Sequence, residues 1–211
     1  MSVELNPRVM ELLVSRICHD LVSPVGAINN GIELMEEMGD EAGDEAVGLI
    51  ANSVEQASVR LKCFRICYGA AGAQQGISFG DIKQVFLDWL GKGRVQLDWN
   101  ADTCYQVMPP AGFMKTLLNI LLFAEECALG SGAISIEPCV DNKGVRVTLE
   151  GPKASFREGA EEALRGEADI DSLDPRLVHG YVTAIFAEHF GLDFSFARES
   201  NEQISFTLKF S

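Results

Sequence analysis

The chain has 211 residues, of which 47% are apolar and 23% charged, and its formal net charge at pH 7 is −14. This balance is typical of a folded protein with one large or two small domains rather than of a disordered chain. The acidity disfavours polyanionic partners, so we expect no binding to nucleic acid or to anionic membranes. Apolar runs fall short of the about 18 residues of a membrane span, and the N-terminus lacks a signal-peptide pattern, which predicts a cytoplasmic location.

The six cysteines are Cys18, Cys63, Cys67, Cys104, Cys127 and Cys139. No Cys-x-x-Cys pair is combined with a histidine pair at zinc spacing, and no secretory signal accompanies them. The pattern therefore favours reduced, mostly buried thiols, and we predict no metal site.

The first predicted element is a long amphipathic helix from about Pro7, a favoured first-turn residue, to Met38. Its apolar stripe recurs in steps of three and four residues and comprises Met10, Leu13, Ile17, Leu21, Ile28, Ile32 and Met35. At roughly 100° per residue, His19 lies about 200° from Ile17, so its imidazole is predicted to point outwards. The neighbours on that outer face are Ser15, Val22, Gly26 and Asn30.

Two residues close to His19 set it apart from an ordinary surface histidine. Pro24 lacks the amide hydrogen that would bond the carbonyl of Asp20, so the helix is expected to bend just past His19. Asp20 can orient the imidazole or accept its proton. From the residues alone, a surface histidine without function stays an alternative.

A short acidic break at Gly39–Gly43 separates this helix from a second one, predicted for Asp44–Tyr68. A short connection between long helices indicates an antiparallel hairpin. The predicted inward face of the second helix is Leu49, Ile50, Val54, Ala57, Leu61 and Phe64. Two helices cannot cover both apolar stripes, so we expect residues 1–72 to form a four-helix bundle by twofold homodimerisation.

The stretch Gly69–Gly80 is rich in Gly, Ala and Gln and is predicted to be a linker. A second domain, residues 78–211, then alternates helices and strands. The predicted helices are Asp81–Leu90, Pro109–Leu129 and Pro175–Phe190; the predicted strands are Val95–Trp99, Ala133–Glu137, Val145–Glu150, Asp193–Arg198 and Gln203–Phe210. The fold class is thus α+β, an N-terminal helical hairpin followed by an α/β two-layer sandwich.

The motif His19-Asp20-Leu21-Val22-Ser23-Pro24 resembles the H-box of histidine kinases and of dimeric histidine phosphotransferases. The longer run from Arg16 to Met35 is similar to the ChpT family of phosphotransferases. The resemblance is compatible with the layout of the whole chain. It implies that the second domain has the fold of a histidine-kinase ATP-binding domain.

The sequence motifs that bind ATP in such kinases are mostly missing from the second domain. The first asparagine box keeps Asn119 but has Phe123 where a second asparagine should help hold Mg²⁺. The following glycine box keeps only Gly151, and the acidic stretch Glu158–Asp171 replaces a glycine-rich lid with a negative field that would repel a triphosphate. We therefore expect no ATP binding. The residues predicted to serve packing or capping instead are Asn119, His179 and His189.

The resemblance implies a protein that takes a phosphoryl group from a phospho-aspartate on one receiver domain and passes it to an aspartate on another. The neutral imidazole of His19 would be the nucleophile, and Asp20 would hold the ring or accept its proton. The implied partners are the receiver domain of a hybrid histidine kinase and the receiver domains of response regulators. The receiver would supply Mg²⁺, so the chain is expected to need no cofactor.

The predicted phosphoryl- and receiver-binding residues are Ser15, Arg16, Val22, Ser23, Gly26, Arg60, Lys62 and Arg65. The first five surround His19. The three basic residues of the second helix fall level with it and suit the charge of a transferring phosphoryl group, although a solvated helix face is the alternative. Two rival functions also stay open: a working histidine kinase, and a module that binds a regulator without phosphotransfer.

Overall fold

A computed structural model describes residues 6–39, 43–73 and 76–211 and begins with two long helices. Helix α1 spans Pro7–Met38, and helix α2 spans Gly43–Cys67. The bounds of α1 are those predicted, because local signals set both ends. The Asn6 side chain accepts a hydrogen bond from the backbone N–H of Arg8, and Gly39 ends the helix with a φ of 56°.

The two helices pack as an antiparallel hairpin. A Cβ atom added to Gly31 would lie 2.6 Å from Cγ1 of Ile50 and 3.3 Å from the carbonyl oxygen of Ala46, so the missing side chain permits a close approach. Most of the predicted acidic turn, residues 40–42, lies outside the described residues. Helix α1 continues unbroken through the buried Pro24, and the predicted bend there stays a prediction.

The hairpin exposes many apolar side chains in the single chain. The exposed apolar residues of the two helices are Met10, Val14, Val22, Val25, Ile32, Met35, Met38, Val47, Leu49, Val54 and Leu61. Leu49, Val54 and Leu61 were predicted to face inwards, whereas α2 buries chiefly Cys63, Phe64, Ile66 and Cys67. The end of α2 packs into the second domain, which explains the burial of these four residues. The three exposed residues belong to the predicted interior of a bundle that a single chain does not complete. None of the described helices is both long enough and apolar enough to cross a bilayer.

The second domain is built on a five-stranded mixed sheet, as predicted. The strands are β1 (Val95–Asp98), β2 (Gly132–Pro138), β3 (Gly144–Glu150), β4 (Asp193–Arg198) and β5 (Gln203–Lys209). Their order is β1-β2-β3-β5-β4, in which β1 pairs with β2 in parallel and every other pair is antiparallel. The buried side chains of β2, β3 and β5 alternate with more exposed ones, so one face of the sheet forms the core.

Helices α3 (Phe79–Leu90), α4 (Phe113–Cys127) and α6 (Val178–His189) supply the other layer. Almost every residue of α4 is buried, which its strongly apolar sequence indicates. It begins at Phe113 rather than at Pro109, because Gly112 takes a left-handed φ of 81° just before it. A short helix α5 (Ala160–Leu164) lies in the acidic stretch and was not predicted.

The predicted linker is partly packed. Residues Ala70–Ala73 form a 3₁₀ turn, and Gly72 is buried so tightly that a Cβ atom would overlap the carbonyl oxygen of Ile66. Two side chains of α4 hold the chain just before this turn. Asn119 Nδ2 donates to the carbonyl of Cys67 at 3.1 Å, and Lys115 Nζ donates to that of Gly69 at 3.0 Å.

The base of the hairpin shares its interior with the sheet domain. Cys63, Ile66 and Cys67 of α2 belong to the same core as α4 and the sheet. Leu12 of α1 belongs to a second cluster with Val178 and its neighbours on α5 and α6. The two units, predicted as residues 1–72 and 78–211, are therefore joined by buried side chains as well as by the chain.

Candidate functional site

His19 stands on the open side of α1. Its side chain is 88% exposed, as predicted from the helical pattern. Nδ1 of the imidazole lies 3.3 Å from Oδ1 of Asp20. The motif histidine is thus accessible to another macromolecule, and the neighbouring carboxylate contacts one of its ring nitrogens.

This contact distinguishes the two ring nitrogens of His19. When Nδ1 carries the hydrogen, it donates to the Asp20 carboxylate, and Nε2 then carries the free lone pair. The carboxylate can also stabilise the positive charge that an imidazole gains when Nε2 forms a bond to an electrophile. The pair can therefore act as an oriented nucleophile at an exposed position.

The predicted docking residues around His19 are mostly accessible. Ser15, Val22 and Ser23 are exposed, and a Cβ atom built on Gly26 would meet nothing within 4 Å. Small side chains beside His19 leave room for a protein surface to approach the imidazole. This part of the α1 surface, formed by Ser15, His19, Val22, Ser23 and Gly26, is called the acceptor face below.

Arg16, predicted among these docking residues, is turned towards the second domain. Its side chain is only 15% exposed and forms an ion pair with Glu126 of α4. Nη1 also donates to the carbonyl of Pro175 at 3.4 Å. Burial opposes the charge of the guanidinium, but the Glu126 carboxylate outweighs it and raises the pKa of Arg16. This partly buried, paired arginine corrects the prediction that Arg16 lies on an open docking surface.

The three basic residues of α2 differ in their surroundings. The guanidinium carbon of Arg60 lies 4.3 Å from the ring centroid of Trp89, a cation–π contact that holds Arg60 against α3. Both residues line a cleft of about 620 Å³ between α2 and the end of α3. Lys62 and Arg65 are exposed. Gly31 of α1 lies against Ala46 and Ile50 of α2. Because the helices are antiparallel, about 12 residues back along α1 leads to His19 and about 12 residues forward along α2 leads to Arg60, so the two lie at the same level.

Glu126, for which the sequence predicted no role, links the two parts of the molecule. It accepts hydrogen bonds from Arg16 and from Nδ1 of His179, the latter at 3.0 Å. Burial works against its charge, but the hydrogen bond from His179 and the charges nearby lower the pKa of Glu126. Burial, and after it the charge of Arg16, lowers the pKa of His179. Two adjacent glutamates near the end of an otherwise apolar helix were the only available signal.

The residues that the sequence predicted to serve packing differ in their surroundings. Asn119 is fully buried, and its Nδ2 donates to the carbonyls of Cys67 and Lys115, whereas its Oδ1 has no hydrogen-bond partner among the described residues. The ring centroid of Phe123 lies 6.0 Å from that of His179 and 6.1 Å from that of Phe206. His179 is fully buried, whereas His189 is exposed beside Phe190.

A small cavity of about 250 Å³ remains beside α4, lined in part by Phe123, Glu126, Arg157 and Arg176. Among the residues that the structure describes, no group of three or more His, Cys, Asp or Glu side chains is arranged to hold a metal ion. Four of the six cysteines are buried, and burial raises the pKa of the Cys127 thiol to about 12. A reactive thiolate is therefore not favoured at this position.

A family model, a curated protein and a solved structure that match this chain are all phosphotransferases. The family described as "Histidine phosphotransferase C-terminal domain" matches residues 79–202. Protein phosphotransferase ChpT of Brucella abortus (strain 2308) is 36% identical over 187 residues, which cover 87% of each protein. The solved structure of a bacterial phosphotransferase has 34% identity and a TM-score of 0.77, with 98% of each chain covered. The histidine kinase AdeS of Acinetobacter baumannii matches with 13% identity over 92% of this chain and 97% of its own, but a TM-score of 0.47 is too low to bear on function.

Proposed function

Because this chain belongs to the ChpT family of protein phosphotransferases, we propose that it carries a phosphoryl group between receiver-domain aspartates on the imidazole of His19. The observation that supports this most is the exposure of His19 beside Asp20, on a helix face with small neighbours. A residue that accepts a group from one protein and gives it to another must be reached by both.

The proposed reaction starts from a phospho-aspartate on a docked receiver. The Nε2 lone pair of His19 attacks the phosphorus, an N–P bond forms, and the P–O bond to the aspartate breaks. The aspartate leaves with the bonding electron pair as a carboxylate. Nδ1–H stays hydrogen-bonded to Asp20, whose negative charge offsets the charge on the phosphorylated imidazole. The same steps in reverse, with a second receiver, complete the relay.

The acceptor face is the proposed docking surface for both receivers. Lys62 and Arg65 are exposed on α2 and suit the negative charge of an approaching phosphorylated receiver, whose acidic pocket would supply Mg²⁺. Arg60 is proposed to act at the edge of this surface because Trp89 holds it. The proposed partners are the receiver domain of a hybrid histidine kinase and response regulators, in the cytoplasm.

A twofold homodimer is part of the proposal. Val47, Val54 and Leu61 lie seven residues apart, so they form one apolar line along α2, and all three are exposed in the single chain. Such a line beside the exposed apolar residues of α1 suits a second hairpin, which would complete a four-helix bundle. The dimer would present two copies of the acceptor face.

We infer that the chain uses neither ATP nor another cofactor. The cavity beside Phe123 of α4, where the resemblance relates the chain to nucleotide binding, has about 250 Å³, below the roughly 300–1,000 Å³ of typical ligand pockets. Asn119, which the resemblance relates to nucleotide binding, donates both of its hydrogen bonds to backbone carbonyls. The phosphoryl group would arrive already activated as an acyl phosphate.

The decisive experiment uses two exposed histidines as a matched pair. Purified wild type, His19→Ala and His189→Ala are each mixed with a receiver domain carrying ³²P on its aspartate. Wild type and His189→Ala should take the label in an acid-labile, base-stable form, as expected for phosphorus bound to nitrogen, and His19→Ala should take none. Label on His19→Ala would refute the proposal. Label taken directly from ATP would favour a kinase, and receiver binding without label would favour an interaction module.

A further inference from the structure

Arg16, Glu126 and His179 come from three different elements and meet at the base of α1. Glu126, near the end of α4, accepts hydrogen bonds from Arg16 and from His179, at the start of α6. Arg16 also reaches the carbonyl of Pro175, in the segment that leads into α6. This cluster is called the Arg16 clamp below. It connects the histidine-bearing helix to α4 and α6, two of the three helices that cover the sheet.

The free energy of an ion pair out of water suggests that the clamp orients α1 more than it stabilises the fold. Removing two charges from water costs about as much as their attraction returns, so a buried ion pair is often no more stabilising than apolar residues of similar size. Free energy is lost mainly when one charge of such a pair is left without its partner. The clamp can instead fix the orientation of α1 relative to the second domain, because the guanidinium of Arg16 is held by both a carboxylate and a backbone carbonyl.

The clamp lies directly below the proposed nucleophile. At 100° per residue, Leu12, Arg16 and His19 fall within about 60° of one another on a single side of α1. Leu12 is buried against the second domain, Arg16 is clamped to it, and His19 is exposed. Helix α1 therefore passes the rim of the second domain between Arg16 and His19. A protein that reaches His19 along this side meets the rim as well.

We propose that Arg16 is a positioning residue that fixes the second domain against α1, so that a receiver docking on His19 meets both surfaces in one orientation. This inference deepens the proposed phosphotransfer and rests on it. Arg16 does not touch the phosphoryl group in this scheme. Its loss should therefore weaken receiver docking while leaving the chemical step at His19 unchanged.

The kinetic test compares Arg16→Met with Arg8→Met, an exposed arginine on the same helix. The labelled receiver is titrated, and the rate of label transfer gives kcat and KM separately. Arg16→Met should raise KM about tenfold, equivalent to about 1.4 kcal/mol, and leave kcat within about twofold. Arg8→Met should match wild type. A fall in kcat at unchanged KM would overturn the proposal, because Arg16 would then act on the reacting group.

A double variant separates positioning from stability. Arg16→Met leaves Glu126 without its cationic partner, whereas Arg16→Met combined with Glu126→Gln removes both charges. The double variant should recover most of the thermal stability and still show the raised KM. Recovery of both stability and KM would reduce Arg16 to a structural residue and overturn the proposal.

An orientation measurement needs no receiver and so tests the clamp independently of the proposed function. Spin labels are attached at Asn29→Cys on α1 and Ser195→Cys on β4, in a protein that also carries Cys18→Ser and Cys139→Ser because these two thiols are not buried. The labelled protein is diluted into unlabelled protein, and the distribution of distances between the two labels is recorded. The distance distribution should be narrow in the labelled protein that keeps Arg16 and clearly broader when Arg16→Met is added. An equally narrow distribution would overturn the clamp even if His19 accepts phosphate. If Arg16→Met broadens the distance distribution but wild-type protein accepts no ³²P from the receiver, the clamp stands and the proposed function is rejected.

Discussion

At the residue scale, Arg16 and His19 lie only three positions apart on α1 but differ in exposure and in their contacts. His19 is exposed, and its helical angle from the apolar stripe predicted this. Arg16 was assigned to the same open surface, yet it is partly buried and paired with a glutamate 110 residues away. Helical periodicity indicates which side of α1 a residue occupies. It does not indicate where along the helix another domain begins to cover that side.

The pair of buried His179 and partly buried Glu126 predicts a pH dependence of stability. Both folded pKa values lie below the ordinary ones, 4.5 and 6.5, so the unfolded state binds more protons as the pH falls through each range. The free energy of unfolding should therefore decrease from pH 7 towards pH 5.5 because of His179, and further towards pH 4 because of Glu126. Each unit of pKa shift corresponds to about 1.4 kcal/mol.

Chemical denaturation at each pH checks this with a matched pair of variants. His179→Asn keeps a donor towards Glu126 and removes the titrating ring, so its stability should change less between pH 7 and 5.5 than that of wild type. His189→Asn, at an exposed position, should follow the wild-type slope. Equal slopes for all three proteins would show that His179 does not contribute.

At the scale of elements, local signals were predicted well and contacts between distant elements were not. Asn6, Pro7 and Gly39 define α1 within the sequence itself, so its bounds were predicted to the residue. The hydrogen bond from Asn119 to Cys67 crosses 52 positions and depends on how α4 packs on α2. A structural role for Asn119 was indicated only by the loss of the neighbouring nucleotide motifs, such as Phe123 in place of a second asparagine. Its partner could not be predicted.

The helix contact at Gly31 supports a prediction on hairpin stability. Gly31→Ala adds a methyl group that must displace Ile50, so it should lower the free energy of unfolding by about 1–3 kcal/mol despite the better helix propensity of alanine. Gly48→Ala, where a Cβ atom meets nothing within 4 Å, should raise it by about 0.5–1 kcal/mol. Urea unfolding measures both. A stabilising effect at Gly31 equal to that at Gly48 would contradict the close contact.

At the scale of the whole molecule, the predicted order of hairpin, connection and α/β sheet is present in one chain. The four-helix bundle depends on a second copy and stays a proposal. The exposed apolar line of α2 is its main support, because isolated exposed apolar residues are ordinary but a continuous row of them is not. The sequence also predicted a flexible connection, whereas buried Gly72 makes part of it a packing element.

Val54→Glu tests the dimer without disturbing the single chain. Val54 is exposed in the chain itself, so a carboxylate there should leave the circular dichroism spectrum unchanged while placing like charges across a twofold interface. Light scattering should report a dimer for wild type and a monomer for Val54→Glu. Gln56→Glu, which adds the same charge on the opposite side of α2, should stay dimeric. A monodisperse wild-type monomer would rule out the bundle.

The hydrogen bonds from Asn119 and Lys115 to Cys67 and Gly69, at and just past the end of α2, bear on the rate at which the protein meets its partners. A protein that must close one part over another before reaction has a rate limited by that motion. In this chain both helices of the hairpin are anchored in the sheet domain at their base, so His19 is ready before any partner arrives. We expect turnover at low partner concentration to follow the collision rate, about 10⁵–10⁷ M⁻¹s⁻¹ for protein pairs, and to slow in proportion to solvent viscosity.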